Sequence, residues 1–173
     1  MRRPSKLVLQ RKKADGFTLI EVMIVVVIVA ILMGAVAMSI PRDINDLMKE
    51  QANRFQAVVS LSQDEAIMQS RELALGFTES GYTFFEFNDS AWVVKSEGPF
   101  KAQKLPQNIL SQLYLEGVSV SLDERVEVKP QVFILSSGEM TPFTYEFQLP
   151  EQDRRIKVTV NAIGDVEQEI LDQ

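Results

Sequence analysis

The sequence predicts an α+β protein in which a long N-terminal helix packs on an antiparallel β-sheet. An uncharged and almost wholly apolar run extends from Val22 to Ile40. Residues 43–75 then place apolar side chains at spacings of three and four, which is the period of a helix. Beyond residue 77, short segments alternate apolar and polar residues, which is the period of a strand. Helix first and strands afterwards is the order typical of an α+β fold.

Composition excludes several classes of chemistry. The chain has 173 residues, with 24 acidic and 18 basic side chains and neither His nor Cys. Its length suits one ordinary globular domain. The lack of His and Cys excludes a Ser-His-Asp triad, thiol nucleophiles, disulfides, and imidazole or thiolate metal sites. Composition leaves carboxylate chemistry open, so the prediction of no enzyme activity and no catalytic residue rests on the motifs and not on composition; we also predict no metal site and no cofactor.

The net charge of -6 is the sum of two unlike parts. Residues 1–16 hold six basic residues and one acid, a net charge of +5, so the remainder of the chain carries −11. Basic flanks of an apolar segment stay in the cytoplasm. We predict that 1–16 is a cytoplasmic leader and that residues after about 41 lie on the other side of the membrane. The acidic remainder would repel nucleic acid, so no nucleic-acid partner is expected.

The segment 17–40 is predicted to be a transmembrane helix. At about 1.5 Å per residue, the run from Val22 covers roughly 29 Å, close to the apolar thickness of a bilayer. Three interpretations are open: a secretory signal peptide cut after Ala35-Val36-Ala37, a permanent anchor, or a segment cleaved on the cytoplasmic side before the apolar run.

Glu21 separates these interpretations. A carboxylate inside a membrane segment costs about 2.5–3.5 kcal/mol and is usually functional, whereas an ordinary signal peptide or anchor gains nothing from it. The plain alternative is that Glu21 lies near enough to the interface to reach water. Its neighbours favour a functional role, because the string from Gly16 to Glu21 reads GFTLIE directly after the basic leader.

That string resembles the signal of type IV pilins and pseudopilins. The resemblance implies cleavage between Gly16 and Phe17 by a prepilin peptidase, N-methylation of Phe17, and retention of the apolar helix as a polymerisation surface. It also implies that Glu21 sets the register of assembly by pairing with the N-terminal ammonium of a neighbouring subunit. Pairing with the ammonium of its own chain, about 6 Å along the helix, is the alternative.

The following segment, 41–76, is predicted to continue as an amphipathic helix. Pro41 lies just past the apolar run and can bend or break a helix. Ile44, Phe55 and Val59 belong to its apolar stripe, and Gly76 is a plausible C-terminal cap. This stripe is expected to pack mainly on the protein's own sheet.

Residues 77–173 are predicted to form a periplasmic antiparallel β domain. Asn88-Asp89-Ser90 has the composition of a hairpin turn, and residues 96–107 are predicted to be a loop. Residues 132–135 are one continuous apolar run, which is consistent with a strand buried on both faces. The predicted strands are 82–87, 91–94, 118–122, 132–135, 143–149, 156–162 and 166–171.

Residues 132–147, VFILSSGEMTPFTYEF, carry a second resemblance. The turn formed by Gly138, Glu139, Thr141, Pro142 and Phe143 is similar to one that recurs in H-type minor pseudopilins of type II secretion. From the residues alone, Gly138 supplies a positive φ, Pro142 ends the turn and Phe143 starts an inward-facing row. Glu139 beside Thr141 has no base nearby, so we interpret the segment as a structural turn.

The resemblance implies a minor pseudopilin subunit placed near the tip of the type II secretion pseudopilus. The partners it implies are the major and other minor pseudopilins, the prepilin peptidase and the inner-membrane assembly platform. A minor pilin of a type IV pilus, serving adhesion, motility or DNA uptake, is the first alternative. A membrane-anchored hydrolase that uses paired carboxylates is the second, although nothing in the sequence places two acids on neighbouring strands of a pocket.

Overall fold

The protein is described from a computed structural model that covers residues 18–37, 43–123 and 127–172. The chain divides into two compact units, Met1–Pro41 and Arg42–Gln173, which are described separately. In the described residues, no helix has the length and apolarity needed to cross a membrane. The predicted segment 17–40 extends beyond the described helix at both ends.

The first unit contains helix α1, Leu19–Ala37. Its large apolar side chains between Leu19 and Met33 are exposed in the isolated chain, from 43% for Val29 to 81% for Leu19. A helix that is apolar all round has no side suited to water, so this surface needs an apolar environment or other helices around it.

The second unit begins with helix α2, Ile44–Gln69. Asp43 caps its start, because its carboxylate accepts from the backbone N–H of Asn45 at 3.0 Å. The helix ends at Ser70, which adopts the left-handed conformation with φ 51°. The predicted helix over 41–76 is therefore too long at its C-terminal end, and Gly76 is not its cap.

In the described part of the chain after α2 there are ten strands, and every pair among them is antiparallel. Their bounds are β1 Leu73–Thr78, β2 Gly81–Asn88, β3 Ala91–Lys95, β4 Gln103–Lys104, β5 Leu110–Leu115, β6 Val118–Val120, β7 Val132–Ile134, β8 Phe143–Leu149, β9 Arg154–Val160 and β10 Val166–Asp172. The hairpin between β2 and β3 turns on Asp89 and Ser90, both with positive φ, as the composition of that turn predicts.

The strands form two sheets. The first sheet has the order β3-β2-β1-β7, with β4 also paired to β2, and the second has the order β10-β9-β8-β5-β6. Three sequence-based expectations change. Residues 96–107 include a 3₁₀ turn at Gly98–Phe100 and strand β4. Strand β7 is buried on one face only, because Phe133 is 39% exposed. Strands β1 and β5 were not predicted.

Helix α2 and the two sheets share one core. Its centre is the Phe55 ring of α2, whose centroid lies 4.9 Å from that of Tyr82 in the first sheet and 4.8 Å from that of Tyr145 in the second. The buried residues that α2 contributes are Met48, Ala52, Phe55, Val58, Val59, Ser62 and Ala66. The apolar stripe of α2 thus packs on the protein's own sheets, as the sequence predicts.

Candidate functional site

Helix α1 begins at a polar cap that involves the predicted assembly residue. The backbone N–H of Glu21 donates to the carbonyl oxygen of Thr18 at 3.1 Å and to Thr18 Oγ1 at 3.4 Å. A Thr at the N-cap with Glu three residues later is the pattern of a capping box. Glu21 also lies in the first helical turn, where the helix dipole favours a negative charge.

Glu21 is the one acidic residue in the first turn of α1, and the residue is exposed. Its exposed neighbours are apolar, with Ile20 66% and Val22 52% exposed. Its carboxylate would therefore lose its hydration if other apolar groups covered this surface of the helix. Gly16 and Phe17, the predicted cleavage and methylation positions, lie outside the described residues.

The turn predicted from Gly138 to Phe143 joins β7 to β8. Gly138 has φ 89°, and its N–H donates to the Leu135 carbonyl at 2.9 Å. Thr141 ties the turn back to β7 twice, because its N–H donates to the Phe133 carbonyl and its Oγ1 accepts from the Phe133 N–H. Pro142 is the last residue before β8, and Phe143 begins that strand buried in the core.

One amide of α2 holds this turn in place. Gln63 Nε2 donates to the carbonyl of Gly138 at 2.7 Å and to the carbonyl of Ile163 at 2.8 Å. Ile163 belongs to the separate turn that joins β9 to β10. A single side chain therefore bonds one helix to two loops that are 75 and 100 residues away along the chain.

Two glycines make room for side chains of α2 at these turns. A Cβ on Gly164 would lie 2.0 Å from Gln63 Nε2, and a Cβ on Gly138 would lie 2.9 Å from the Cδ1 of Ile67. Both residues also have positive φ, 86° and 89°. Glycine is required at each position by space and by backbone conformation together.

Glu139 serves the turn through its backbone. Its carbonyl accepts from the Leu135 N–H at 2.8 Å, and its own N–H donates to Ser137 Oγ at 3.4 Å. The residue is exposed. Over residues 18–37, 43–123 and 127–172, no three His, Cys, Asp or Glu residues are grouped so that they could hold a metal ion.

A cluster of charges joins the C-terminal end of α2 to the first sheet. Lys95 Nζ lies 2.9 Å from Glu86 and 3.3 Å from Glu65, and Arg71 forms a second ion pair with Glu86. The hydrogen bond from Lys95 lowers the pKa of Glu86 despite its partial burial. Burial alone would lower the pKa of Lys95, but the bonds to Glu86 and Glu65 outweigh it and raise that pKa.

Neither Gln63 nor this charge cluster was predicted from the sequence. The available signal for Gln63 was its place between Val59 and Ala66, within the buried stripe of α2, where a polar side chain needs a partner. Nothing local identifies that partner, because both acceptors are backbone carbonyls of distant turns. The charge cluster likewise depends on the register of β2 with β3. That register pairs Phe84 with Lys95, and Glu86, two residues after Phe84, lies on the same face of the sheet as Lys95.

Comparison with known families gives two matches in this chain. Residues 11–37 match the prokaryotic N-terminal methylation motif, and residues 51–164 match type II transport protein GspH. The first match contains GFTLIE and all of α1. The second contains Gln63, both of its acceptors and the Gly138–Phe143 turn.

Two relatives carry a name that agrees with these matches. The type II secretion system protein H of Aeromonas hydrophila is 29% identical over 167 residues, covering 89% of this chain and 91% of that protein. The protein of the same name from Pseudomonas aeruginosa is 29% identical over 143 residues, covering 76% and 81%.

Solved structures share the fold. The minor pseudopilin EpsH from the type 2 secretion system of Vibrio cholerae superposes with a TM-score of 0.62 at 24% identity, over 70% of this chain and 94% of that one. The solution structure of Escherichia coli GspH gives a TM-score of 0.58 at 21% identity, over 73% and 89%. The helix on antiparallel sheets is therefore a pilin-like α+β fold.

Proposed function

Because the chain belongs to the GspH family of type II transport proteins, we propose that it is a minor pseudopilin, a structural subunit of the type II secretion pseudopilus. One observation carries this proposal: an N-terminal methylation motif over 11–37 and a GspH domain over 51–164 occur in the same chain. The first supplies a signal for processing and polymerisation, and the second identifies the kind of fibre.

Processing would occur at the start of the apolar helix. The prepilin peptidase would cut between Gly16 and Phe17, methylate Phe17 and release the leader that carries +5. Glycine suits the cleavage position, because it lets the backbone lie extended in a narrow protease cleft. The mature chain then carries −11, and its new N-terminus is a cation four residues before Glu21.

The subunit is proposed to begin in the inner membrane with a cytoplasmic leader and a periplasmic C-terminal domain. The exposed apolar side chains of α1 and the apolar residues that continue to Ile40 would lie in lipid. Assembly then transfers them into a bundle of helices near the tip of the fibre, so the same surface serves as anchor and as polymerisation contact.

Glu21 would set the register of this bundle. In a dry bundle an unpaired carboxylate is costly, whereas a carboxylate paired with an ammonium is tolerated at one axial position only. The capping bond to Thr18 uses the backbone N–H of Glu21 and leaves its carboxylate available. Pairing with the ammonium of a neighbouring subunit would stabilise the assembled fibre, and pairing with the chain's own ammonium would serve the processed subunit before assembly.

Partners follow from this role. They are the major and other minor pseudopilins, the prepilin peptidase and the inner-membrane assembly platform, with no catalysis by the chain itself. The wider prepilin signal alone would also suit a minor pilin of a type IV pilus. A neighbouring secretin and exoprotein gene cluster is expected here, whereas pilus retraction genes would favour the alternative.

Mass spectrometry of the mature protein tests the processing step. The expected N-terminus is N-methylated Phe17, whereas an N-terminus at Met38 would establish an ordinary signal peptide. Gly16→Ala should leave unprocessed precursor. The matched control is Gly34→Ala, which makes the same change inside the apolar run and should be processed normally. Normal processing of Gly16→Ala would contradict the peptidase assignment.

Glu21→Ala separates processing from assembly. The variant should be cleaved and methylated but should incorporate poorly into sheared pseudopili and restore little export in a strain that lacks the chain. Glu21→Asp keeps the charge and should retain more of both functions. Undiminished incorporation of Glu21→Ala would show that Glu21 has no role in register.

A further inference from the structure

The outer face of the first sheet is apolar, and this face points away from α2. Direct cross-strand partners lie on the same face of an antiparallel sheet. The register places Val94, Phe85, Ala74 and Phe133 in one row across all four strands β3, β2, β1 and β7. None of these four is polar, but Phe85 and Ala74 in the middle of the row are buried, and only Val94 and Phe133 at its ends are exposed.

A second row of the same face is rich in aromatic residues. Trp92 lies opposite Phe87, and the Phe87 N–H donates to the Glu72 carbonyl at 2.9 Å, just before β1. The Trp92 ring is 5.2 Å from that of Phe87 and 5.5 Å from that of Phe133. Val94 is 57% exposed, Phe87 42% and Phe133 39%, so the uncovered apolar part of this face lies around Trp92 and does not extend across the whole sheet.

Glu72 is the one acidic position in this second row. It is exposed and has the same strand parity as Ala74, which puts it on the outer face with Phe87. The adjacent Arg71 is held by Glu86, whose register position is on the opposite face. A carboxylate among exposed aromatic rings attracts a cation by charge, while the rings attract the same cation through their faces.

We propose that this outer face is a docking surface for another pseudopilin subunit that presents an arginine among apolar side chains. The proposal rests on the proposed function, because it assigns the partner to the same fibre. A guanidinium is planar, stacks on aromatic faces and pairs with a carboxylate. Phe87 and Trp92 offer the aromatic faces, and Glu72 offers the carboxylate. Aromatic residues and Arg are also the side chains enriched where interfaces are buried.

Charge argues against the other occupants of such a face. In a symmetric pair of this chain the same face meets itself, so both surfaces would carry the negative charge of Glu72. Anionic lipid headgroups and nucleic acid would be repelled by Glu72 as well. A basic partner surface is the one that the charge complements.

The test places a photoreactive benzoylphenylalanine at Val94 of the full chain, in cells that carry the complete secretion system. The expected product is an adduct with another pseudopilin whose cross-linked peptide contains an arginine. Glu72→Arg should reduce this adduct by about tenfold, which corresponds to about 1.4 kcal/mol of binding free energy. Glu72→Gln keeps the shape of the side chain and should reduce the adduct less. Replacing the partner's arginine by glutamate should restore the adduct of the Glu72→Arg chain.

Matched controls lie on the outer face of the second sheet. The photoreactive residue at Thr159 should give no such adduct, and Glu167→Arg, an equal charge reversal at an exposed position, should leave the Val94 adduct unchanged. An adduct with a second copy of this chain, or equal adducts from both faces, would overturn the proposal. So would retention of the adduct in both Glu72 variants. Export restored by the unaltered chain tests the proposed function separately, so either idea can fail alone.

Discussion

Replacing Gln63 by Ala should destabilise the periplasmic domain by more than an ordinary surface substitution on the same helix. Gln63 Nε2 donates to the carbonyls of Gly138 and Ile163, and Ala removes both bonds while preserving the helix. The two loops that carry the predicted turn and the β9–β10 turn would then lose their shared attachment to α2.

The magnitude follows from the surroundings of the two acceptors. A net hydrogen bond contributes about 0.5–1.5 kcal/mol, so two give about 1–3 kcal/mol. Gly138 is buried, so its carbonyl loses its partner without gaining water, whereas Ile163 is 69% exposed and its carbonyl can be hydrated. We therefore expect about 1–2 kcal/mol, most of it from the bond to Gly138.

Gln69→Ala is the matched control. Gln69 lies on the same helix and donates to Glu65 at 2.8 Å, but both side chains of that pair lie near the surface. An exposed pair at this spacing contributes about 0.2–0.5 kcal/mol. Both variants replace Gln by Ala on the same helix, so their difference reports mainly on the attachment.

The assay is urea unfolding of the detergent-solubilised full chain, followed by far-ultraviolet circular dichroism. The midpoint of Gln63→Ala should fall clearly below that of Gln69→Ala, with an unchanged slope. Equal midpoints for the two variants would refute the attachment. A fall in slope would instead show that the substitution alters the compactness of one end state.

Three further predictions concern single positions. Gly164→Ala should lower the free energy of unfolding by more than about 1 kcal/mol, because residue 164 has a φ of 86° and its new Cβ would lie 2.0 Å from Gln63. Adding Gln63→Ala should remove the steric clash but not the backbone strain. A double-mutant cycle of urea unfolding measures the part that is recovered. The pKa of Glu86 lies below its ordinary 4.5, so its charge stabilises the fold at neutral pH, and this contribution is lost as pH falls through the lowered pKa. The unfolding midpoints of the unaltered chain and of Glu86→Gln should therefore converge in acid. A difference that stays constant with pH would contradict this. Thr18→Val should speed hydrogen exchange at the Glu21 amide whereas Thr18→Ser should not, and identical exchange would refute the cap.

Local patterns predicted the parts of the fold that local residues determine. The Asn88–Ser90 hairpin and the Gly138 turn need particular backbone angles, and the residues that supply them are visible in the sequence. The apolar stripe of α2 and the alternating strands β8, β9 and β10 were predicted for the same reason. In each case the signal is a period or a turn residue within about ten positions.

Distant pairing explains what was missed. The segment 70–76 continues the helical spacing of α2, but β1 forms there because β2 and β7 both pair with it. Gly76 is required inside that strand because a Cβ would lie 2.4 Å from the Lys129 carbonyl, a contact that no local pattern reveals. The division into two sheets and the two acceptors of Gln63 also depend on such contacts. Strand preference reflects these neighbours more than the residue itself.

The position of Trp92 makes the chain its own optical reporter. It is the sole tryptophan of the sequence, and its partly exposed indole lies between the rings of Phe87 and Phe133 on the outer face of the first sheet. Indole emission depends on the polarity around the ring, so a subunit that covers this face would shift the emission to shorter wavelength and shield it from aqueous quenchers. Association at this face is therefore readable from intrinsic fluorescence if the partner itself lacks tryptophan.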